Sequence, residues 1–391
     1  MNNNRWVSNR TKQMPANMFN TMDLAKSEAI QKGLEIIDLS IGSSDLPPPT
    51  AAMEALRQAT HHPETYGYCL HSGARPLRQA AATWFEQRYR RALDPDRNIL
   101  ALIGAQEGFA HLLLAIADPG DLILAPDPGY PSYFGAIALA GLDMTPLPLL
   151  EEHQFLPDLA AIPAKTARRA RVMALSYPNN PTTAVASAGF WRSVIEFCRA
   201  YDIFLIHDFP YVDLVYGAYE APSVLAQPGG MEIALEFYSC SKSYHMGGFR
   251  IGWAAGNPDA LAALAQVKGA IDFNQYLGIQ QAAIAAINQP RSETRRAAAV
   301  FETRRNVLVE ALNRAGWKTP LPQASMYVWT RLPAGLTDSF DFTVNLARAT
   351  GVCLAPGRGF GERGEGFVRF ALVREPEALL RAVQRIQRFL D

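Results

Sequence analysis

Between residues 75 and 257 the chain alternates short, almost wholly apolar runs with longer amphipathic ones, and this restricts the fold more than any other feature. The apolar runs are "NILALIG", "DLILAP", "ARVMALSYP", "DIFLIHDFPY" and "ALEFYSCSK". Their length and continuity suit strands buried on both faces. The segments "AQEGFAHLLLAIA", "YPSYFGAIALAG" and "SAGFWRSVIEFCRAY" repeat their apolar positions at helical spacing. Strands alternating with helices imply crossover connections, hence an α/β large domain whose mostly parallel sheet is sandwiched by helices. Ligands bind such sheets at the loops leaving the carboxyl ends of the strands. The polar and glycine-bearing pieces "GAQEG", "DPGYPSY", "SYPNNPTT", "HDFPY" and "SCSK" stand at those positions.

Near Pro290 the pattern changes. A long helix, "RSETRRAAAVFETRRNVLVEALNRAG", is followed by a strand, "MYVWTRL", a helix, a strand at "GFVRFAL" and a final amphipathic helix. These predict a smaller α+β domain, which the N-terminal segment is expected to join. The expected division is a large domain over 45–290 and a small one over 1–44 and 291–391. With 37 basic and 37 acidic residues, the chain has no electrostatic footprint for nucleic acid or an anionic membrane. Its four cysteines are far apart, without metal-type spacing, so no metal is expected. Reduced thiols and the absence of a signal-like or membrane-length apolar run predict a cytoplasmic protein.

Lys242 ends an apolar strand in a polar turn, where burial or a neighbouring cation would free its amine for imine formation; an exposed loop lysine is the alternative. Asp208 closes another strand, as partner of a ring nitrogen or as a helix cap. Tyr211, three residues on, either bonds a ring oxygen or packs. Asn180, ahead of Pro181, faces a cleft or merely starts a helix. The amides of Ala105 and Gln106 open a helix and suit an anion. Tyr130 offers a face for a flat ring, or core packing. Ser239, Ser241 and Arg250 surround Lys242 with hydroxyls and a phosphate fork. Arg369 interrupts an apolar strand and must find an anion or an internal ion pair. Together these groups describe a pyridoxal phosphate site that handles an amino acid.

The motifs also resemble, in order and over nearly the whole chain, those of the class I/II aminotransferases of pyridoxal-phosphate fold type I: "LSIGSSDLP", "YCLHSGARPLR", "GAQEG", "DPGYPSY", "YPNNPT", "HDFPY", "SCSKSYHMGGFRIG" and "GFVRFAL". The resemblance implies that Lys242 bonds the cofactor and then shuttles the proton at the substrate α-carbon. It implies that Asp208 pairs with the pyridine nitrogen, that Tyr211 and Asn180 bond the ring oxygen, and that Tyr130 stacks on the ring. Ala105, Gln106, Ser239, Ser241 and Arg250 would hold the phosphate, and Arg369, with the backbone at Gly42, the substrate α-carboxylate. Tyr68 would reach the phosphate of a partner subunit, so a homodimer is implied. The implied reaction moves an amino group from an α-amino acid to a 2-oxo acid, 2-oxoglutarate being the expected acceptor. Carbon–sulfur β-elimination, or another fold-type I reaction such as decarboxylation, on the same scaffold is the alternative.

Within the family the chain looks most like the LL-diaminopimelate branch, through "FLPDL", "YPNNPTTAVA", "HDFPYVDLVYGAYEAPSVL" and "EFYSCSKSYHMGGFRIGWAAGN". LL-diaminopimelate and aspartate are the candidate donors. The chain departs from that branch at Thr183, where glycine is usual, and at "GAQEG", where G-S-K-E-G is usual. It also departs at "SCSK" and at "HMGGFRIG", where "SLSK" and "NMTGWRIG" are usual. Side-chain selectivity is sought in "IDFNQYLGIQ" and around His71.

Overall fold

The structure, a computed structural model, describes residues 6–12, 14, 19–70 and 72–391. Its central sheet has seven strands, in the order Ile99–Leu102, Gly252–Gly256, Ala234–Ser239, Phe204–Asp208, Ala170–Leu175, Leu122–Asp127 and Asp143–Pro148. Four inner strands, at Leu122–Asp127, Ala170–Leu175, Phe204–Asp208 and Ala234–Ser239, run parallel. All four are buried at nearly every position, Leu122–Asp127 and Ala234–Ser239 throughout, as their continuous apolar sequences require.

Gly252–Gly256 is antiparallel to both neighbours. That reversal has a functional consequence. The strand enters the sheet at the edge where its parallel neighbours leave, so Arg250, just before it, stands beside their carboxyl ends. The outer strand Asp143–Pro148 is buried only at Leu147 and contains Pro146 and Pro148. Proline lacks the N–H that an inner strand would have to donate, which confines such a sequence to a sheet edge. No continuous apolar run marks this strand in the sequence.

Two apolar layers cover the sheet. One joins Trp191, Trp253 and Tyr238 with the helices Arg75–Tyr89, Ala188–Tyr201 and Leu277–Ile287. The other packs Phe109, Leu112, Ile137 and Leu264 against the opposite face. Ser187 caps the helix Ala188–Tyr201 by accepting the Phe190 N–H, and Asp202 ends it in a left-handed conformation.

A separate core gathers around Phe301, Leu308, Trp317, Val328 and Phe370. Here Tyr327–Arg331, Phe367–Ala371 and Ala355–Pro356 form an antiparallel sheet. The N-terminal segment reaches this layer: Ile37–Asp38 pairs in parallel with Val352–Cys353, and Ala371 donates its N–H to Leu39 O. Residues 40–46 then leave this layer and run to the carboxyl edge of the large sheet.

Candidate active site

A cavity of about 600 Å³ lies where residues 40–44 and the small sheet meet the carboxyl edge of the large one. The ends of the four inner parallel strands and of Ile99–Leu102 each deliver one motif to its wall. Helix Ala105–Ile116 begins there behind Gly104, with the amides of Ala105 and Gln106 in its first turn. Tyr130 precedes helix Pro131–Ala140 and donates to Gln106 Oε1 at 3.1 Å. Ser239 accepts the Ser241 N–H at 3.1 Å, folding the chain into the short turn that carries Lys242. The Lys242 ammonium donates to Gly42 O and lies 5.9 Å from the centre of the Tyr211 ring.

Arg250 lies over Gly104. A Cβ there would sit 2.5 Å from Arg250 Nη2, and its φ of +81° also favours glycine. Gly42 is required by close approach: a Cβ would sit 1.8 Å from the Tyr327 oxygen. Gly42→Ala is therefore expected to displace Tyr327 or the 40–44 segment and to destabilise the fold by roughly 1–3 kcal/mol. Urea denaturation would detect the loss, and an unchanged midpoint would exclude the close approach.

Asp208 is 8% exposed. Its Oδ2 accepts from the Tyr133 hydroxyl at 2.5 Å, while its Oδ1 is buried without a partner. Burial pushes the carboxyl up to about 6, against the opposing pull of the Tyr133 hydrogen bond and the nearby charges of His207 and Lys242. A lone buried carboxylate oxygen at a cavity wall suits a charged N–H donor on a ligand.

Arg369 is 4% exposed and lies with its guanidinium 4.0 Å from the Tyr327 ring centre and 4.6 Å from that of Phe360. Nη1 donates to Asn180 Oδ1 at 2.7 Å and Nη2 to Ser40 O at 2.8 Å, while Nε is unpaired. The bond to Oδ1 fixes the Asn180 amide, so its NH₂ remains as a donor. The internal ion pair considered for Arg369 is not formed: no carboxylate among the described residues lies within ion-pair distance of it.

The Tyr211 and Tyr327 hydroxyls are 3.1 Å apart. Burial works to raise the Tyr327 phenol, but the charges of Lys242 and Arg369 and the bond from Tyr211 hold it below the usual phenol value. Burial, foremost, and that neighbouring phenol push Tyr211 well above it.

Twelve of the thirteen residues selected from sequence line this cavity: Gly42, Ala105, Gln106, Tyr130, Asn180, Asp208, Tyr211, Ser239, Ser241, Lys242, Arg250 and Arg369. Tyr68 does not; it is 88% exposed, with its ring 6.4 Å from Phe273. "IDFNQYLGIQ" contributes no lining residue. Its Gln275 instead braces the backbone, donating to Leu102 O and Arg250 O. His71 lies outside the described residues. Tyr133, Tyr327, Phe360, Ser44 and His245 line the cavity without having been anticipated. Tyr133 was detectable: it follows Tyr130 by one helical turn in "DPGYPSY" and so can share its face. Thr183 stands at φ +62°, where the branch's usual glycine would be unstrained.

Glu107, His111 and Asp272 also cluster. Buried Lys268 already occupies that cluster, 2.8 Å from Glu107 and 3.2 Å from Asp272.

Residues 35–386 match the family model "Aminotransferase class I and II". The chain belongs to this family. The aminotransferase is 41% identical over 381 residues to the LL-diaminopimelate aminotransferase of Moorella thermoacetica, covering 97% of each chain. It is 49% identical to a solved structure described as a probable N-succinyldiaminopimelate aminotransferase from Thermus thermophilus. That match has a TM-score of 0.91 and covers 95% of this aminotransferase and 100% of the other. Substrate-bound BacF from Bacillus subtilis matches with a TM-score of 0.94 at 31% identity, covering 98% and 97%. No helix of the aminotransferase among the described residues is long and apolar enough to cross a membrane.

Proposed function

We propose that this aminotransferase uses pyridoxal phosphate to move an amino group from a donor of the diaminopimelate type to a 2-oxo acid, with 2-oxoglutarate as acceptor. The observation that carries this reading is the unpartnered, buried Asp208 Oδ1 in a cavity that also presents the Lys242 amine. The helix start at Ala105 and Gln106, the hydroxyls of Ser239 and Ser241, and the Arg250 fork would hold the phosphate. Asp208 would keep the ring nitrogen charged, Tyr130 would cover the ring, and Tyr211 and Asn180 would bond its oxygen. When bound, the cofactor supplies an electron sink for the bond broken at the substrate α-carbon. Lys242 would hold the cofactor covalently and then move the proton at that carbon. Arg369 would fix the α-carboxylate and thereby orient the breaking bond.

The donor assignment draws on the relatives named above. A panel of LL-diaminopimelate, its N-succinyl derivative, aspartate and glutamate against 2-oxo acids tests it. Transfer confined to aspartate would overturn the assignment, and pyruvate release without an acceptor would indicate a lyase.

We place the domains at 45–290 and at 1–44 with 291–391, with the cavity between them. We also propose a homodimer, because Tyr66, Tyr68 and Leu70 in one loop and Ile271 at the end of the helix Pro258–Ile271 are exposed and apolar, with Tyr68 beside Phe273 just past that helix. The four unpaired cysteines suit a reducing, cytoplasmic setting.

Asp208 provides a test with opposite signs. Its folded-state value of about 6 lies above the ordinary 3.8, so the cofactor-free protein loses stability as pH rises through that interval. Asp208→Asn removes this loss. The cofactor-free variant is expected to be more stable than wild type above pH 6, by at most about 3 kcal/mol, and equal to it below pH 4. Cofactor affinity should move the other way, falling in the variant. Urea titrations at several pH values and cofactor dissociation constants would check both; weaker stability at high pH would contradict the account.

A further inference from the structure

Lys268, on the helix Pro258–Ile271, is fully buried yet lines no part of the cavity. A buried ammonium is costly unless it is paired, and this one has no task in the chemistry described so far. Its Nζ lies 2.8 Å from Glu107 Oε1 and 3.2 Å from Asp272 Oδ1. His111 Nδ1 lies 2.7 Å from the same Glu107 oxygen. Burial works to raise the Glu107 carboxyl, but His111 and Lys268 hold it below its ordinary value, so it is a carboxylate at neutral pH.

The second Glu107 oxygen connects this cluster to the proposed phosphate subsite. Oε2 accepts the Ile103 N–H at 3.0 Å. Ile103 is followed by Gly104, which lies under Arg250, and then by Ala105, where the helix opens. A further brace comes from the turn that ends the helix of Lys268. Asp272 closes that helix, Phe273 adopts φ +56°, and Gln275 then reaches back. Its Nε2 donates to Leu102 O at 3.1 Å and to Arg250 O at 3.2 Å. Leu102, Ile103 and Gly104 are consecutive, so the two braces hold adjacent peptide groups just ahead of the Ala105 and Gln106 amides. Gln275 also ties that segment to Arg250. Neither Glu107 nor Gln275 lines the cavity, so both act from behind it.

We propose that Glu107, held by Lys268, and Gln275 are positioning residues of the phosphate subsite: they preset residues 102–106 and the Arg250 backbone so that the Ala105 and Gln106 amides and the guanidinium converge on one phosphate group. This rests on the pyridoxal phosphate reading given under the proposed function. A turn containing glycine has many shapes open to it, and fixing one beforehand removes an ordering cost that binding would otherwise carry. The charge pair does this without offering a second cation to the ligand, since the Lys268 ammonium is spent on carboxylates.

The test measures dissociation constants on the full-length, cofactor-free chain for three probes: pyridoxal phosphate, pyridoxal, which lacks the phosphate, and inorganic phosphate. Glu107→Met combined with Lys268→Met removes both charges together and leaves neither ion of the pair buried alone. Gln275→Met removes the two bonds of the other brace at a half-buried position. Each variant is expected to bind pyridoxal phosphate and inorganic phosphate about tenfold more weakly. Pyridoxal should stay within about twofold of wild type. A charge pair that only ties two helices together would lower stability and leave the two phosphate-bearing probes no worse affected than pyridoxal. Equal weakening of all three probes, or an unchanged inorganic phosphate constant in either folded variant, overturns the proposal while leaving the pyridoxal phosphate reading intact. If the double variant does not fold, Gln275→Met decides by the same comparison. A wild-type chain that binds inorganic phosphate but forms no covalent adduct with pyridoxal phosphate defeats that reading instead, and the inorganic phosphate constants still decide the role of the braces.

Discussion

Replacing Lys242 by alanine is expected to lower transamination roughly 10⁴-fold or more, the upper range for removing a positioned acid–base group, with a lost covalent attachment added. The expectation follows from where the amine is held. Lys242 lies in the first turn after strand Ala234–Ser239, and its Nζ donates to Gly42 O on the opposite wall. Lys26, the other amine at the wall, is ion-paired, as is the buried Lys268. Lys242 has only a carbonyl for a partner, which leaves its amine available for bonding to an aldehyde. The proposed proton transfer needs that same amine within reach of the substrate α-carbon, and no second side chain among the described residues duplicates the position. Borohydride reduction of the loaded enzyme followed by peptide mapping should find the cofactor on Lys242 in wild type and nowhere in Lys242→Ala. A variant that turned over at the wild-type rate, or an adduct on Lys26, would end the assignment.

The large sheet was legible because strands such as Leu122–Asp127 are buried on both faces and therefore apolar throughout. Asp143–Pro148 was not, because an edge strand buried at only one position need carry neither a continuous apolar run nor alternation. The site was legible where one strand end brings several groups together, as at Asp208 with Tyr211 and Ser239 with Lys242. It was not legible where function comes from pairing across distant parts of the chain. Tyr327 meets Tyr211 from 116 positions away, and His245 meets Ser44 from 201 positions away. No local pattern encodes such pairs. The N-terminal segment shows the same limit: Arg369, Lys242 and His245 bond residues 40, 42 and 44 in turn, an arrangement invisible in "LSIGSSDLP".

Arg369 makes the second large expected effect, and a paradoxical one. A buried guanidinium without an anion costs several kcal/mol of desolvation that hydrogen bonds to neutral groups return only in part. Stacking against Tyr327 and Phe360 and bonds to Asn180 and Ser40 hold the fork in place, yet Nε remains unpaired. The missing anion is the substrate α-carboxylate in the proposed function. Arg369→Met, similar in length and apolar, should therefore leave the substrate-free protein as stable as wild type or more stable by roughly 1–4 kcal/mol. The same change should lower kcat/KM for every α-amino acid by roughly 10²–10³-fold, corresponding to a lost charge-assisted contact of about 3–4 kcal/mol, with KM rising throughout the series. Arg369→Lys should fall between, since it keeps the charge but cannot reproduce the planar fork. Thermal or urea unfolding without substrate, set beside steady-state kinetics on several donors, separates anchoring from scaffolding. A stability loss that paralleled the activity loss would make Arg369 a structural residue, and an effect on one donor alone would move the common carboxylate grip elsewhere.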